Sequence, residues 1–447
     1  MRARGMLRRL VLVILGCIAM SLSVSAAEGD SLLTLQESID LALERSVIIH
    51  SAREGIAGAE AQKKESFTGF LPRLSTSYNY TRLNEEPTFL FPGAPPLIPQ
   101  TVMKTGTQDN YTWSLEARQP LFAGGSILAN YEASRIGVDV ARMEERSAVL
   151  DIVQDVRISY FQVIKAEKLR EVAQQSVRQL ESHRDIAQNF FDVGLIPRND
   201  LLHAEVELAN GRQFLVRSEN ALELARSKLN TLLRRGIDTP LNVEDILAYK
   251  PFEKSFEECF RSALDTRPEV KVSSLRVEQA KEIVNQAKSE YFPHVNLVGN
   301  YSRFGDTPGV SGSPYQEQES WYLMAVANWN FWEWGKTKHR VTISKSRENQ
   351  TMHTLTNIKD QITLEVKNAY LLLREAEKQI FVSQKAIEQA EENFRITRER
   401  YREQVATSTD VLDAQTLLTR AKSDYTNALG DFHISHARLE RAMGGKP

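Results

Sequence analysis

One passage of this chain is written twice. Residues 191–209, FDVGLIPRNDLLHAEVELA, return 210 positions later as YREQVATSTDVLDAQTLLT. Phe191 falls over Tyr401, Asp200 over Asp410, Leu202 over Leu412, Ala204 over Ala414 and Leu208 over Leu418. Upstream, Val156 and Tyr160 meet Val366 and Tyr370, and LFAGG (121–125) meets FWEWG (331–335). FLPRLSTSYNY (70–80) matches YFPHVNLVGNY (291–301) at an offset of 221, so the first copy carries a loop 11 residues longer between positions 80 and 113. A period of roughly 200 residues is a duplicated half-molecule rather than a solenoid. Each element is therefore expected in duplicate: a first repeat over 28–235, a linker over 236–254 that packs outside the helices, and a second repeat over 255–447.

The breakers set the elements. The chain holds 15 prolines, yet none lies between 121 and 196 or between 315 and 446. Gly137 is the one glycine within 126–190, and Gly430 the one within 336–443. Such stretches, rich in Glu, Gln, Arg, Ala and Leu, are helix formers. Val149, Ile152, Val156, Tyr160 and Val163 recur in steps of three and four, as do Ile362, Val366, Ala369 and Leu373. An apolar seam on otherwise charged helices packs as a coiled coil does. The spacing predicts helices over 126–190 and 336–402, each roughly 100 Å long at about 1.5 Å per residue. Tight turns follow at 191–198 and 403–407, then helices over 199–233 and 408–442 of about half that length. Segments 34–67 and 255–289 are expected to be single helices of roughly 50 Å.

Between the helices lie two expected β-hairpins, 71–82 with 110–121 and 293–304 with 319–332. In 110–121, Tyr111, Trp113, Leu115 and Ala117 alternate with Thr112, Ser114, Glu116 and Arg118. One apolar and one polar face at period two is the pattern of a transmembrane barrel strand. All five tryptophans, at 113, 321, 329, 332 and 334, sit in the second strand of a hairpin or at its junction with a helix. Indole rings gather at membrane–water boundaries, which makes Trp113, Trp321, Trp329 and Trp332 candidate interface residues. A soluble sheet with aromatic packing is the other reading, but no segment supplies an apolar layer to bury it. The connections 83–109 and 305–318 are rich in turn residues and are expected as loops at the hairpin tips.

Four strands cannot close on themselves, and an open sheet edge in lipid leaves backbone groups unpaired at several kcal/mol each. Several copies must therefore pool their strands. Two copies give eight strands and a filled interior; three give twelve, with room for a conduit.

The chain opens MRARGMLRRLVLVILGCIAMSLSVSAA, the pattern of a secretory signal peptide over 1–27. A lipoprotein cut before Cys17 is the second reading, with the bulky Leu15 against it. Removing residues 1–26 takes away four arginines and no acid, moving the formal charge from −2 to −6, and nothing in that balance points to nucleic acid. No disulfide can form within the mature chain, because Cys259 is then the only cysteine; it is expected as a small buried side chain. No HExxH, GxSxG, P-loop or CxxC occurs, so no enzymatic chemistry and no cofactor is expected. His433 and His436 lie three apart on a predicted helix and lack further ligands for zinc; a solvated or tunnel-lining pair is expected.

The paired strand-and-long-helix order, Val193-Gly194-Leu195 followed by Asp200, and Thr409-Asp410-Val411-Leu412-Asp413-Ala414 together resemble the TolC family of outer-membrane efflux proteins. The resemblance covers essentially the whole mature chain. It implies a mainly α fold with a small β part: long antiparallel helical hairpins forming an α-barrel, and four strands per protomer given to a trimeric twelve-stranded β-barrel in outer-membrane lipid. It implies as partners a periplasmic adaptor, docked on Val193, Gly194 and Leu195, and an inner-membrane pump of RND or ABC type. It also makes Asp410 and Asp413 an acidic ring at the periplasmic gate. Their spacing lets both carboxylates project from one helical face. The plainer role for Asp410 is a favourable acid in the first turn of a helix capped by Thr409 or Ser408. The chain departs from the family at Asn199, where a threonine is usual, at Gln404, where glycine is common, and at Ala406, where some members hold an arginine. The function implied is a passive outer-membrane exit duct for small molecules. A type I protein-secretion conduit and a structural coiled-coil envelope protein are the rivals.

Overall fold

The computed structural model describes residues 32–94 and 96–445. The readings made for the leader and for Cys17 lie outside the described residues. The described chain is mostly helix with a small strand part, and it divides into two compact units. One comprises residues up to Ser46, Ile152–Phe252 and Leu372–Ala437; the other comprises Val47–Asp151, Glu253–Leu371 and Arg438 onward.

The second of these units holds the sheet. Helix α2 (Val47–Thr68) leads into β1 (Arg73–Arg82), and β4 (Asp109–Ala123) leads into α3 (Ser126–Asp192). In the other half α6 (Pro268–Lys288) leads into β5 (His294–Gly305), and β6 (Glu319–Asn328) into α7 (Lys336–Arg402). The four long strands form one antiparallel sheet ordered β1-β4-β5-β6, so the two expected hairpins are joined edge to edge through β4 and β5. β6 ends at Asn328 rather than 332, which leaves Trp329, Trp332 and Trp334 beyond the strand. The 11 extra residues of the first copy are not plain loop either. The longer connection, 83–109, contains a short ribbon, β2 (Thr88–Phe91) on β3 (Thr101–Lys104), where an irregular loop is expected.

Register sorts the sheet's faces. Tyr78 lies opposite Trp113, Thr76 opposite Leu115, Leu115 opposite Tyr301 and Tyr301 opposite Trp321. Directly opposed residues share a face, so Leu74, Tyr78, Tyr80, Trp113, Leu115, Trp321 and Leu323 make one apolar surface. The other face is mostly polar, with Ser77 bonded to Ser114 at 2.8 Å and Ser320 opposite Ser302.

Both 34–67 and 255–289, expected as single helices, are broken. α1 (Leu35–Arg45) stops at Ser46, and α5 (Phe256–Thr266) stops at Arg267; both stopping residues are extended, with ψ of 118° and 126°. Pro268 explains the second break, because its ring excludes helical backbone at the residue before it. Each short helix opens with a reciprocal capping box, Thr34 with Glu37 and Ser255 with Glu258. Behind these helices Ile136 and Val140 of α3 pack on Val272 and Leu275 of α6, and Cys259 is fully buried.

The first unit contains α1, α4 (Arg198–Leu232), the linker and most of α8 (Ser408–Ala442). The linker is not merely laid outside the helices. Leu241 and Val243 are buried, and Val243 makes a strand-like bridge to Leu33. Tyr160, itself fully buried, places its hydroxyl 3.0 Å from the carbonyls of both Leu33 and Glu244.

Candidate functional site

Within the first unit, α3 passes to α4 and α7 to α8 through turns of one design. The amides of Gly194 and Leu195 return to the carbonyls of Phe191 and Phe190 at 2.9 and 2.8 Å. Those of Gln404 and Val405 return to Tyr401 and Arg400 at 3.0 and 2.8 Å. Each turn needs one left-handed residue, Gly194 at φ +77° and Gln404 at φ +60°. A Cβ on Gly194 would meet no atom within 4 Å, so glycine serves there for its backbone freedom alone. Gln404 adopts the same conformation against the preference of an L side chain. Gln404→Gly is expected to stabilise the fold by about 1 kcal/mol, read as a higher thermal midpoint; a lower one would contradict this account of the turn. Val193 and Leu195 project into solvent at 68% and 53% exposure.

The second turn is fixed by Thr407, which caps α8 in place of the Thr409 or Ser408 expected. Its hydroxyl accepts the Asp410 amide at 3.2 Å while the Asp410 carboxylate accepts the Thr407 amide at 2.9 Å. That backbone hydrogen bond, with the side-chain contact to Thr407, holds the Asp410 carboxyl below its ordinary range. Asp410 and Asp413 are both exposed. Ser408 turns inward instead, and its hydroxyl meets His183 Nε2 at 2.9 Å. Burial pushes His183 down to about 4, so it is neutral at pH 7.

Behind the turns sit Phe394, Tyr401, Val411, Ala414 and Leu418, with Phe190 and Ile186 of α3 against them. Ala406 packs on this apolar cluster, so the position where some family members hold an arginine contributes here to packing. Leu412 joins Val177 and Leu180, which binds α8 to α3. Asn199 is exposed next to Arg198 at the start of α4. His183 and Thr407 escaped the sequence reading, and Ser408 entered it only as a possible cap, though Thr407-x-x-Asp410 is a legible capping pattern.

His433 and His436 are not a freely solvated pair. His433 stacks on Phe161 with ring centres 4.5 Å apart, and its Nε2 lies 3.1 Å from the Ala248 carbonyl. His436 packs edge-on to Phe252. Both are half-buried against the linker.

In the other unit, the apolar face of the sheet lies open. Trp321 is 75% exposed, and Leu74, Leu323 and Tyr78 are exposed beside it. Trp113 is half-buried and packs edge-on to Tyr301. Trp329 donates its indole N–H to the Tyr291 carbonyl at 3.1 Å, and the exposed Trp332 packs on Trp334. Among the described residues, β1 and β6 each present an unpaired edge. No helix among the described residues is long and apolar enough to cross a membrane.

Comparison with known proteins agrees with this geometry. A family model described as outer membrane efflux protein matches residues 38–234 and 260–445. The probable efflux pump outer membrane protein TtgC of Pseudomonas putida is 20% identical over 307 residues, which cover 67% of this chain but only 62% of the relative's own length. Among solved structures, CusC superposes with a TM-score of 0.79 at 17% identity, over 95% of this chain and 96% of its own. The Campylobacter jejuni CmeC outer membrane channel gives 0.78 at 18% identity, over 95% and 90%. The fold is that of these channel proteins and not of an enzyme. Matched by that model along both halves, the chain belongs to the outer membrane efflux protein family.

Proposed function

We propose that this outer-membrane protein is the passive exit duct of a tripartite efflux system. One observation carries the reading: a four-stranded sheet with an open apolar face and two unpaired edges, attached to paired helical hairpins. In lipid those edges must be paired. Three copies joined β6 to β1 make a twelve-stranded cylinder, wide enough for a water-filled lumen. The helical hairpins of the three copies continue that lumen into the periplasm. Nothing in this scheme consumes energy within the chain, so transport is driven by an inner-membrane pump reached through a periplasmic adaptor. Val193, Gly194 and Leu195 are the docking surface for the adaptor, since both aliphatic side chains are held outward by a turn that is already formed.

Asp410 and Asp413 form the acidic constriction in this reading. Threefold symmetry puts six carboxylates round one opening, which attracts cations and resists full closure. The hydrogen bonds from Thr407 keep Asp410 ionised. Protein purified in detergent should behave as a trimer and give cation-selective channels in planar bilayers. Asp410→Ala with Asp413→Ala should move the cation-to-anion permeability ratio towards parity. Asp413→Ala alone, which leaves the α8 cap intact, should move it part of the way. Unchanged selectivity in both would end the gate assignment. A monomer that dissolves without detergent would end the duct.

A further inference from the structure

Between α3 and the last turns of α7 the helices part to leave a cavity of about 310 Å³. Arg178 and His183 line it from α3, Phe394, Arg398 and Tyr401 from α7, with Ile186 on its apolar side. Such a volume lies at the small end of the range for small-molecule sites, enough for one ring and a polar group.

The hydrogen bonding here is incomplete in one direction. Two neighbouring cations are matched: Arg395 holds Glu392 and Glu399, and Lys422 holds Glu391. The amides of the lining are matched too, Gln179 accepting from Gln415 at 2.7 Å and Gln175 from Lys422 at 3.2 Å. Among the described residues, neither Arg178 nor Arg398 has a carboxylate. Arg398 instead lies over the Phe394 ring, 5.6 Å from its centre, with its Nε buried and unbonded. Tyr401 is 97% buried, being 3% exposed, and its hydroxyl makes no hydrogen bond. Ser408 stands close enough to act on that phenol while its hydroxyl also meets His183, but the two hydroxyls are not placed to bond each other. His183 is neutral, so the cavity's charge comes from the two guanidiniums. Two unbonded groups, Arg398 Nε and the Tyr401 hydroxyl, line a space with an apolar wall, and the exposed Arg178 lines it from α3. A buried hydroxyl without a partner is costly, and a native fold that retains one calls for an explanation.

We propose that this cavity binds a small organic carboxylate with an apolar body. Its carboxylate lies between Arg178 and Arg398 and accepts the Tyr401 hydroxyl, while its apolar part rests on Phe394 and Ile186. A guanidinium suits a carboxylate because its N–H groups form a planar fork matched to the two oxygens. Bound there, the ligand ties α3 to α7 beside the 403–407 turn, so occupancy holds that seam in the arrangement described here. The assignment does not depend on the chain being a duct.

The full-length protein in detergent, titrated with 4-fluorobenzoate and followed by fluorine NMR, should show saturable binding of one molecule per chain. The neutral isostere 4-fluorobenzamide should bind at least about tenfold more weakly. Arg398→Gln should weaken benzoate binding by about tenfold or more, and Tyr401→Phe, which keeps the ring, by roughly three- to tenfold. The benzamide comparison uses the unaltered protein and so does not depend on any variant folding. Absence of saturable binding, equal binding of the amide, or full affinity in Arg398→Gln would each overturn the proposal. Inorganic phosphate binding as tightly as benzoate would also overturn it, because the apolar wall would then contribute nothing.

Discussion

Glu269→Ala is expected to destabilise the fold by about 3–5 kcal/mol, the cost of leaving buried charge without its partner. Glu269 is the hub of a cluster at the start of α6. Arg267 reaches it through Nε and Nη2, both at 3.1 Å, and Arg441 of α8 reaches it at 2.5 Å. The two arginines are only 6% and 8% exposed, and their other acidic partners, Glu365 and Asp151, are about half exposed. Removing Glu269 therefore leaves two buried cations facing one another with only water-screened counter-charges. Glu269→Gln keeps the shape and one acceptor oxygen for the arginines, and should lose less. A thermal midpoint for Glu269→Ala within a degree or two of the parent would refute the hub. The same cluster sets an acid limit. Burial pushes the Glu269 carboxyl up, but hydrogen bonds from Arg267 and Arg441 outweigh it and hold it at about 2, against 4.5 in an ordinary glutamate. A carboxyl depressed on folding stabilises above its unfolded value, and that contribution is lost as pH falls from 4.5 towards 2. The stability of Glu269→Gln should accordingly fall less steeply across this window.

The cluster also shows what sequence can and cannot yield here. Arg267-Pro268 is a readable helix break, since the ring of Pro268 forbids helical backbone before it, yet the stretch looked continuous because its apolar spacing runs through. Ser46 breaks the matching helix of the first half with no proline or glycine to announce it. Where breakers and periodicity agree, the reading was close. α7 spans Lys336–Arg402, the bounds expected, and α3 runs two residues further than 190. The strands β1, β4 and β5 lie within two residues of expectation because alternation of Tyr, Trp and Leu with Ser, Thr and Arg has a single reading. β6 was overrun because Trp329, Trp332 and Trp334 continue the aromatic signal past the last ladder bond at Asn328. The β2–β3 ribbon hid among five prolines. Asp410 was legible as a first-turn acid, but its cap was misplaced by one or two residues among three consecutive hydroxyl side chains. His433 and His436 could be read only with the linker folded against them, since residues 248 and 252 are remote in sequence. Tyr401 was seen only as the partner of Phe191 in the repeat. That its hydroxyl would be buried and unbonded follows from three helices meeting, which no local pattern encodes.

Leu323→Arg is expected to block assembly in the outer membrane, whereas Ser320→Arg is expected to be tolerated. The two sites are three residues apart on β6, the edge strand, and differ in the face they occupy. Leu323 lies opposite Gly299 and next to the exposed Trp321, on the surface shared with Leu74, Trp113 and Leu115. Ser320 lies opposite the buried Ser302 on the polar side. An arginine facing lipid near mid-depth costs about 2–4 kcal/mol, and one facing a water-filled lumen costs little. In the proposed trimer three copies each carry that penalty, so an effect modest per chain becomes prohibitive for the assembly. Backbone pairing does not distinguish the two variants, because both residues sit in the same β5–β6 ladder. The comparison therefore isolates the solvent on each face. Outer-membrane fractionation together with heat-modifiable migration on gels reads the result. Equal assembly of both variants would show that the aromatic face does not meet lipid. If Ser320→Arg failed and Leu323→Arg assembled, the lumen would lie on the face where Trp113 and Trp321 sit.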